Sequence, residues 1–460
     1  MAKNLNIRNY ICKGGGIYKC ALLNIVSYFT LFISSFISWN YFGFLFFING
    51  IFLFAIIDKY LEANFFKFIT HSFLFILSWK LGALSWMFYI DKGFFGFLII
   101  FILSLIPFIL LFFLKKIIQN INIIVFIFLW FLYELFNNFT NVSFPWLTLG
   151  NVFSTNIYLV QWYKYTGILG GSLWFLLVSY FLYCFIKKNN YSYLKFAFLT
   201  FVPLSLLSSY SFFIKKTVND DVLIDKTFIT FNNEKISDSL KGKELAFYIY
   251  KITKNIESKN KVLLIPESTF RGINMDRYDN ALIYNFLKKI ITQNGFKEVY
   301  FGTTMYKPKE YISNASIFIT EKKHYTKVKE KLIMFNEYVP KMISSVLNKK
   351  NFNPYAHDTS DQILQDLKIL PLICYEAFYS YYVLEKNKDG KLMYLLSSEK
   401  FLNNSFWGSN QYNNILKLRC VENEMPLIKS SNNGNSLVIN SKGEIIFSSR
   451  EELNIYKYKN

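Results

Sequence analysis

The sequence predicts two structures in one chain: a polytopic α-helical membrane part over residues 1–214 and an α+β domain outside the membrane over residues 215–460. Three observations lead there. Residues 20–214 are dominated by Phe, Leu, Ile and Tyr with few charges, whereas residues 215–460 mix charged and apolar positions in the manner of a water-facing domain. Several runs in the first part approach the roughly 20 apolar residues that cross a bilayer. From residue 222 onward, short apolar runs bounded by Pro, Gly or Asn alternate with helical stretches, the pattern of a layered α+β domain.

In chain order, the candidate spans are 20–39, 41–57, 68–90, 94–114, 121–136, 166–186 and 196–213, about seven in all. Only a tight turn near Asn40 separates the first two, which read as a hairpin. Basic residues mark alternate connections: Lys3, Arg8, Lys13 and Lys19 before the first span, then Lys59 and Lys67, Lys115 and Lys116, and Lys187, Lys188 and Lys195. The intervening connections carry chiefly Lys92 and Lys164. Cytoplasmic loops retain Lys and Arg, so the N-terminus is expected inside and residues 215–460 outside. Lys215 and Lys216 run against this pattern, but a long translocated domain overrides short-range charge. No small-residue cleavage site follows Asn4–Lys19, and the first span reads as an uncleaved anchor.

Two ionisable residues interrupt the apolar runs. Ionisable groups there usually face a bundle interior; a functional role is one reading of Lys80 and Glu134, and an interfacial Glu134 or a structural pairing of the two is the bland alternative. Between the fifth and sixth spans, Phe144-Pro-Trp-Leu-Thr-Leu-Gly150 and then Gln161-Trp162 have the composition of a structured loop at headgroup depth. Trp146 is its candidate lipid or substrate contact.

In the outer domain, Val262-Leu-Leu-Ile-Pro266 reads as a buried strand that delivers Glu267 at its end. Glu298–Thr303 and Ala315–Thr320 read as further strands, and Lys331–Val339 leads to Pro340. Leu370-Pro-Leu-Ile-Cys-Tyr-Glu376 is a short apolar run that ends in a thiol, a phenol and a carboxylate. A cysteine there is placed to act as a nucleophile, although buried free cysteines are commonly plain core. Tyr394–Ser398 is a strand, followed by a polar loop through Gly408, a helix over 411–424 and a hairpin around Ser441-Lys-Gly443.

The net charge of +20 is spread over both halves, and no zinc-finger spacing or RNA-binding signature accompanies it, so nucleic acid is not the expected partner. Five cysteines without a CxxC pair, and three histidines, offer neither a disulfide framework nor a metal site, and a Cys-His dyad is poorly supplied.

Taken together, these pieces resemble the nitrilase, or carbon-nitrogen hydrolase, superfamily, whose fold is an αββα sandwich with a Glu-Lys-Cys triad at strand ends. Glu267 matches the glutamate of its Pro-Glu motif and Cys374 the cysteine of its Ile-Cys-Tyr-Glu motif. The lysine is expected three residues before the leucine that opens Leu-x-x-Phe-x-Glu-Tyr-x-Pro, which gives Lys329. Lys327 and Lys331 flank it in the same alternation, as solvated neighbours on one strand face, and the register among the three stays open.

Behind a polytopic N-terminus, the motifs resemble the apolipoprotein N-acyltransferase family of bacterial inner membranes. The likeness extends to Glu134, the Phe144–Gly150 loop, Asn403-Asn404-Ser405-Phe406-Trp407-Gly408, Arg419, Glu422 and Asn433-Gly434. It implies Phe406 and Trp407 as further lipid or substrate contacts, and Glu337, Tyr375 and Glu376 as supporting residues. Four departures stand beside it. Asn404 replaces an aspartate and Phe406-Trp407 are in swapped order; Asn336 replaces a glycine; the first strand lacks a Gln-x-Asn sequence; and no apolar span follows the domain before Asn460.

The resemblance implies that Cys374, with Glu267 as base and Lys329 at the oxyanion, takes an acyl chain from a phospholipid as a thioester. It then passes the chain to the α-amino group of a diacylglyceryl-cysteine on an apolipoprotein. The expected site is a multi-pass monomer in the inner membrane with its catalytic domain on the periplasmic side and no cofactor. A membrane-anchored amidase of the nitrilase type and a decayed acyltransferase are the alternatives. A transporter is disfavoured by the scarcity of ionisable residues in the spans.

Overall fold

The computed structural model describes residues 17–90, 93–119, 121–140, 144–214, 220–224, 226–234, 236, 240–274, 282–307, 311–333, 337–338 and 358–458. By its internal contacts the chain forms two compact units. One comprises Met1–Ser85, Phe97–Tyr133 and Ser172–Val202; the other comprises Trp86–Gly96, Glu134–Gly171 and Pro203–Asn460. Thus 86–96 and 134–171, which lie within the apolar part of the sequence, pack with the C-terminal domain.

The apolar runs fold as helices α1 (Ile17–Asn40), α2 (Phe46–Tyr60), α3 (Phe65–Leu84), α4 (Gly93–Leu103), α5 (Ile106–Ile117), α6 (Val125–Phe139), α7 (Tyr163–Lys188) and α8 (Tyr191–Phe213). Among the described residues, Gly43–Tyr60, Phe65–Tyr89, Gly96–Ile117, Tyr163–Lys188 and Tyr191–Phe213 are long and apolar enough to cross a membrane. Ile25–Asn40 and Val125–Phe139 are apolar but shorter. Large rings such as Phe66 and Phe198 stand exposed on these helices, as suits a hydrocarbon solvent rather than water. Inside the first unit Phe46 packs against Trp79 and Phe175, with ring centroids 5.6 and 5.1 Å apart. Lys80 is buried there, giving its ammonium to the Ile100 carbonyl at 2.7 Å and to the Ser104 hydroxyl. Glu134, in the other unit, accepts from the Leu149 N–H at 2.8 Å. Each of the two thus has a hydrogen-bond partner within its own unit.

The C-terminal domain is a sandwich of two sheets. Its strands are β1 (Thr227–Phe231), β2 (Lys261–Asn274), β3 (Phe296–Lys307), β4 (Tyr311–Thr320), β5 (His324–Val328), β6 (Ile369–Ile373), β7 (Leu392–Ser398), β8 (Leu427–Asn432), β9 (Ser436–Ile439), β10 (Ile445–Ser449) and β11 (Leu453–Lys457). A six-stranded sheet has the order β11-β1-β2-β3-β4-β5 and a five-stranded sheet the order β10-β9-β8-β7-β6. Alternation along the strands decides which side chains meet. Phe228, Leu264, Tyr300 and Phe318 of the first sheet share a core with Tyr394, Leu396 and Ile428 of the second. On its other face the first sheet buries Leu263, Ile265, Val299 and Phe301 under α9 (Lys243–Thr253) and α10 (Leu282–Asn294). Ser430 Oγ crosses between the sheets to the Leu264 carbonyl at 2.9 Å. Completing the domain are α11 (Ser360–Leu367), α12 (Ser380–Lys386) and α13 (Phe406–Asn423). Helices outside two stacked sheets make the αββα arrangement. It places the C-terminal ends of parallel β2 and β6 where polar side chains can converge.

Leu264 has no exposed surface in the core between the sheets, whereas Leu206 on α8 is 65% exposed. Leu264→Ala is therefore expected to cost about 2–5 kcal/mol of unfolding free energy, read as a fall in the melting temperature of the detergent-solubilised chain, and Leu206→Ala to leave it near the parent value.

Candidate active site

Glu267 reaches its place through an irregularity in β2. Ile265 pairs with Phe301 and Phe270 with Thr303, so residues 266–269 stand opposite Gly302 alone. Ser268 takes a left-handed φ of 53° to make the detour. Gly302 is required at its position, because a Cβ there would lie 2.5 Å from both the Pro266 carbonyl oxygen and the Glu267 Cα. The bulge turns the Glu267 carboxylate into the interior, with 4% of the residue exposed.

Lys329 follows β5 directly, and its N–H donates to the Asn314 carbonyl of β4 at 2.8 Å. Its ammonium lies 2.8 Å from Glu267 Oε1 and 2.8 Å from Glu337 Oε2. Asn314 Nδ2 donates to the same two carboxylates, at 2.8 Å to Glu267 and 2.7 Å to Glu337. Glu337 also accepts from the Ile333 N–H at 2.9 Å, which ties the segment after Lys329 to the cluster.

Cys374 ends β6 and opens a 3₁₀ turn over Cys374–Phe378. Its φ is 46°, a left-handed conformation that costs an L-residue energy. The same kind of strained strand-to-turn elbow presents nucleophiles in other enzymes. Glu376 holds this turn against the lysine segment: its Oε2 accepts from the Ile373 N–H at 2.8 Å and its Oε1 from the Glu330 N–H at 2.8 Å. One carboxylate thus bridges the residue before Cys374 and the residue after Lys329.

The electrostatics follow from burial. Burial raises the Glu267 pKa, with Lys329 pulling it down and Glu337 pushing it up, and the net result lies above the ordinary carboxyl value. Burial opposes the charge on Lys329, but Glu267 and Glu337 more than offset this and raise its pKa. Burial pushes the Cys374 thiol well up, the negative Glu267 adds to this, and Lys329 and a backbone hydrogen bond from Ser398 work against it. At neutral pH the resting pair is thus a thiol beside a carboxylate that is a stronger base than usual. This arrangement suits proton transfer concerted with attack.

The structure brings Glu267, Lys329 and Glu337 into direct contact and couples Cys374 to them electrostatically. Glu376 lies on the neighbouring cluster rather than on Lys329. Tyr375 is buried, its ring 5.4 Å from that of Phe378. Phe406 is 69% exposed and Trp407 partly buried. Asn336 lies outside the described residues.

Two expectations are corrected. Trp146 is fully buried instead of facing lipid, because its ring stacks 4.4 Å from Phe378 while its Nε1–H donates to Gln411 at 3.0 Å. Trp86 donates to the same Gln411 oxygen at 3.1 Å. Lys327 is not a solvated neighbour either. It is 2% exposed, with its ammonium 3.2 Å from Glu376, 3.3 Å from Glu330 and 3.5 Å from Asp358. The reason is that β5 is covered on both faces from Tyr325 to Val328, and on the Lys327 side Glu376, Asp358 and the Tyr382 hydroxyl meet the ammonium.

Sequence reasoning missed Asn314, a lone amide within an apolar strand, and the buried pair Glu399–Lys429. A carboxylate directly after the apolar run Leu392–Ser398 was the available signal. Cys184 and Cys420 are free and buried. His71 and His324 bond Tyr28 and Tyr284. No group of three His, Cys, Asp or Glu placed to hold a metal occurs among the described residues.

With this geometry in hand, two family descriptions match the chain: the apolipoprotein N-acyltransferase N-terminal domain over residues 30–181 and the carbon-nitrogen hydrolase domain over residues 281–456. An apolipoprotein N-acyltransferase of Wigglesworthia glossinidia brevipalpis is 25% identical over 66% of this chain and 62% of that protein. Another, of Aquifex aeolicus, is 25% identical over 66% of this chain and 67% of that protein. The chain thus spans under two thirds of the length of the Wigglesworthia relative. Among solved structures, an amidase of the nitrilase superfamily from Nesterenkonia AN1 superposes with a TM-score of 0.36 at 13% identity, covering 51% of this chain and 90% of that one.

Removing one member of a buried ion cluster leaves its partners unpaired, a loss of about 3–5 kcal/mol. Lys327→Ala is therefore expected to lower stability by about that amount, measured by denaturant unfolding of the purified chain, whereas Lys331→Ala, at a half-buried position, is expected to change it by less than about 1 kcal/mol.

Proposed function

The chain belongs to the apolipoprotein N-acyltransferase family, and from that premise we propose that it moves an acyl chain from a phospholipid to the N-terminal diacylglyceryl-cysteine of apolipoproteins. The observation that carries this reading is the meeting of Glu267, Lys329 and Cys374 at strand ends, in a chain whose other part supplies apolar helices of membrane-crossing length.

In the first half-reaction the Cys374 thiol gives its proton to Glu267 as sulfur attacks the ester carbonyl carbon. The carbonyl oxygen takes up negative charge beside the Lys329 ammonium, where a single well-placed donor is worth about 3 kcal/mol in a water-excluded site. Collapse of this intermediate breaks the carbon–oxygen ester bond. The departing lysophospholipid oxygen takes the proton back from Glu267, leaving an acyl thioester on Cys374. In the second half-reaction the acceptor α-amino group attacks that thioester and loses a proton to Glu267. The carbon–sulfur bond breaks, the amide is released, and Glu267 returns the proton to Cys374. The cycle is ping-pong. Glu337 and Asn314 keep Glu267 and Lys329 aligned throughout, and Glu376 keeps the two catalytic segments in register. Neither half-reaction calls for a cofactor.

The membrane placement that goes with this reading has residues 1–214 in the inner membrane, about seven spans, and residues 215–460 on the periplasmic side. It rests on the alternation of basic loops. A reporter fused after Asn219 is expected to behave as exported and one fused after Asn189 as cytoplasmic; two fusions reporting the same side would refute the span count.

The activity is tested by mass spectrometry of lipoprotein N-termini from cells in which this chain is the only N-acyltransferase, where N-acylated termini are expected. In purified protein supplied with a labelled phospholipid, Cys374→Ser is expected to abolish the acyl-thioester and Glu267→Gln to stop the cycle before acylation. Because Glu267 must be ionised to act and its pKa is raised, acylation is expected to rise with pH through a midpoint above the usual carboxyl range and to be lost as pH falls through it. A midpoint at or below that range would speak against Glu267 as the base.

A further inference from the structure

A second buried ion pair near the nucleophile has no part in the cycle above. Glu399 opens the turn after β7, Lys429 lies in the middle of β8, and both side chains are in contact with no exposed surface. Ions buried this deeply persist only where their other hydrogen-bonding capacity is filled. Glu399 accepts from Ser409 Oγ at 2.5 Å and Ser431 Oγ at 3.1 Å, and Lys429 donates to Asn413 Oδ1 at 2.7 Å. Gly434 backs onto the carboxylate so closely that a Cβ there would lie 2.1 Å from Glu399 Oε1.

The Lys429 ammonium also stands 4.4 Å from the centroid of the Tyr412 ring. The hydroxyl of Tyr412 points at the Cys374 carbonyl oxygen, 3.5 Å away, at the outer limit of a hydrogen bond. A cation on the ring face draws electron density from the phenol and makes its O–H a better donor. Tyr412 is fully buried, and its other face meets Phe378 of the nucleophile turn at 4.9 Å between centroids. Burial lowers the Lys429 pKa, and Glu399 first and then a thiolate at Cys374 work against this; by reciprocity a charged Lys429 favours the thiolate.

We propose that Lys429, held by Glu399, is a positioning residue for the nucleophile: through Tyr412 it steadies the carbonyl of the left-handed Cys374, and its charge favours the thiolate. The proposal rests on Cys374 being the nucleophile. A pair that merely filled space would be replaceable by apolar side chains of similar volume without consequence for the chemistry.

The test is the pH dependence of iodoacetamide alkylation at Cys374, followed by mass spectrometry of its peptide in the full chain in detergent, which reads the thiolate itself, beside acyl-thioester formation with a fluorescent phospholipid. The double variant Glu399→Leu/Lys429→Met removes both ions and leaves no lone charge behind. Its rate at neutral pH is expected to fall roughly tenfold and its midpoint to rise by about one pH unit, while Lys429→Arg keeps the parent midpoint. A double variant with the parent midpoint overturns the proposal, whether or not its rate falls, and so does a Lys429→Arg midpoint displaced as far as that of the double variant. If the double variant does not fold, Glu399→Gln/Lys429→Gln decides the matter: it keeps hydrogen-bonding side chains of similar size and removes both charges, so the midpoint is expected to rise likewise, and the parent midpoint overturns the proposal. Cys374→Ser is assayed in parallel, because acyl label persisting there refutes the nucleophile itself rather than the role of Lys429.

Discussion

Lys329 lies within 3 Å of two carboxylates, Glu267 and Glu337, with its own side chain wholly out of water. Three buried charges with one sign in excess are tolerated only if the remaining donors and acceptors are satisfied. Much of the local architecture follows from that constraint. The bulge in β2 brings one carboxylate in, Gly302 clears the space for it, and the Ile333 N–H anchors the other. Asn314 supplies two donors to two acceptors, which is the full capacity of its amide nitrogen. Glu267, Lys329, Glu337 and their alignment are therefore one object, and a change to any member alters the ionisation of the others.

A second cluster of charge lies beside the first and does a different job. Lys327 and Glu376 are buried together, with Asp358 and Glu330 near by. Through the two N–H groups it accepts, Glu376 fixes the approach of β6 to the chain leaving β5. These strands belong to different sheets, so the register between sheets, and with it the placing of Cys374 against Glu267, depends on an ion pair as well as on the apolar core. Burying two such pairs costs desolvation that apolar residues would not; what they supply is a fixed geometry.

The strands that carry Glu267 and Cys374 were legible because each is a short apolar run that ends in a reactive side chain, and the family motifs added Lys329. The layered fold was legible from strand and helix alternation. What periodicity alone did not reveal was set by tertiary contacts. Lys327 reads as a surface lysine because nothing in its neighbourhood in the sequence announces Glu376, which is 49 positions away by residue number. Trp146 reads as an interfacial ring because tryptophan is common there, and only the facing Phe378, Tyr412 and Gln411 show why it turns inward. Glu399 and Lys429 lie 30 positions apart and meet through the packing of β7, β8 and α13.

The left-handed backbone of Cys374 has a consequence in time as well as in space. A non-glycine residue at φ 46° is held there by its surroundings, at a cost of about 1–2 kcal/mol against the ordinary conformation. Those surroundings are Glu376 folding back on Ile373, the backbone of Ser398 at the end of β7, and Tyr412 on α13. They come from three segments between Ile373 and Tyr412. A chain in which these contacts have not formed does not hold Cys374 in this conformation, and the elbow is complete only when β7 and α13 have docked against it. In the function proposed for this chain, the turn that presents Cys374 is in this sense a late product of folding, complete only after the chain through Tyr412 has been made.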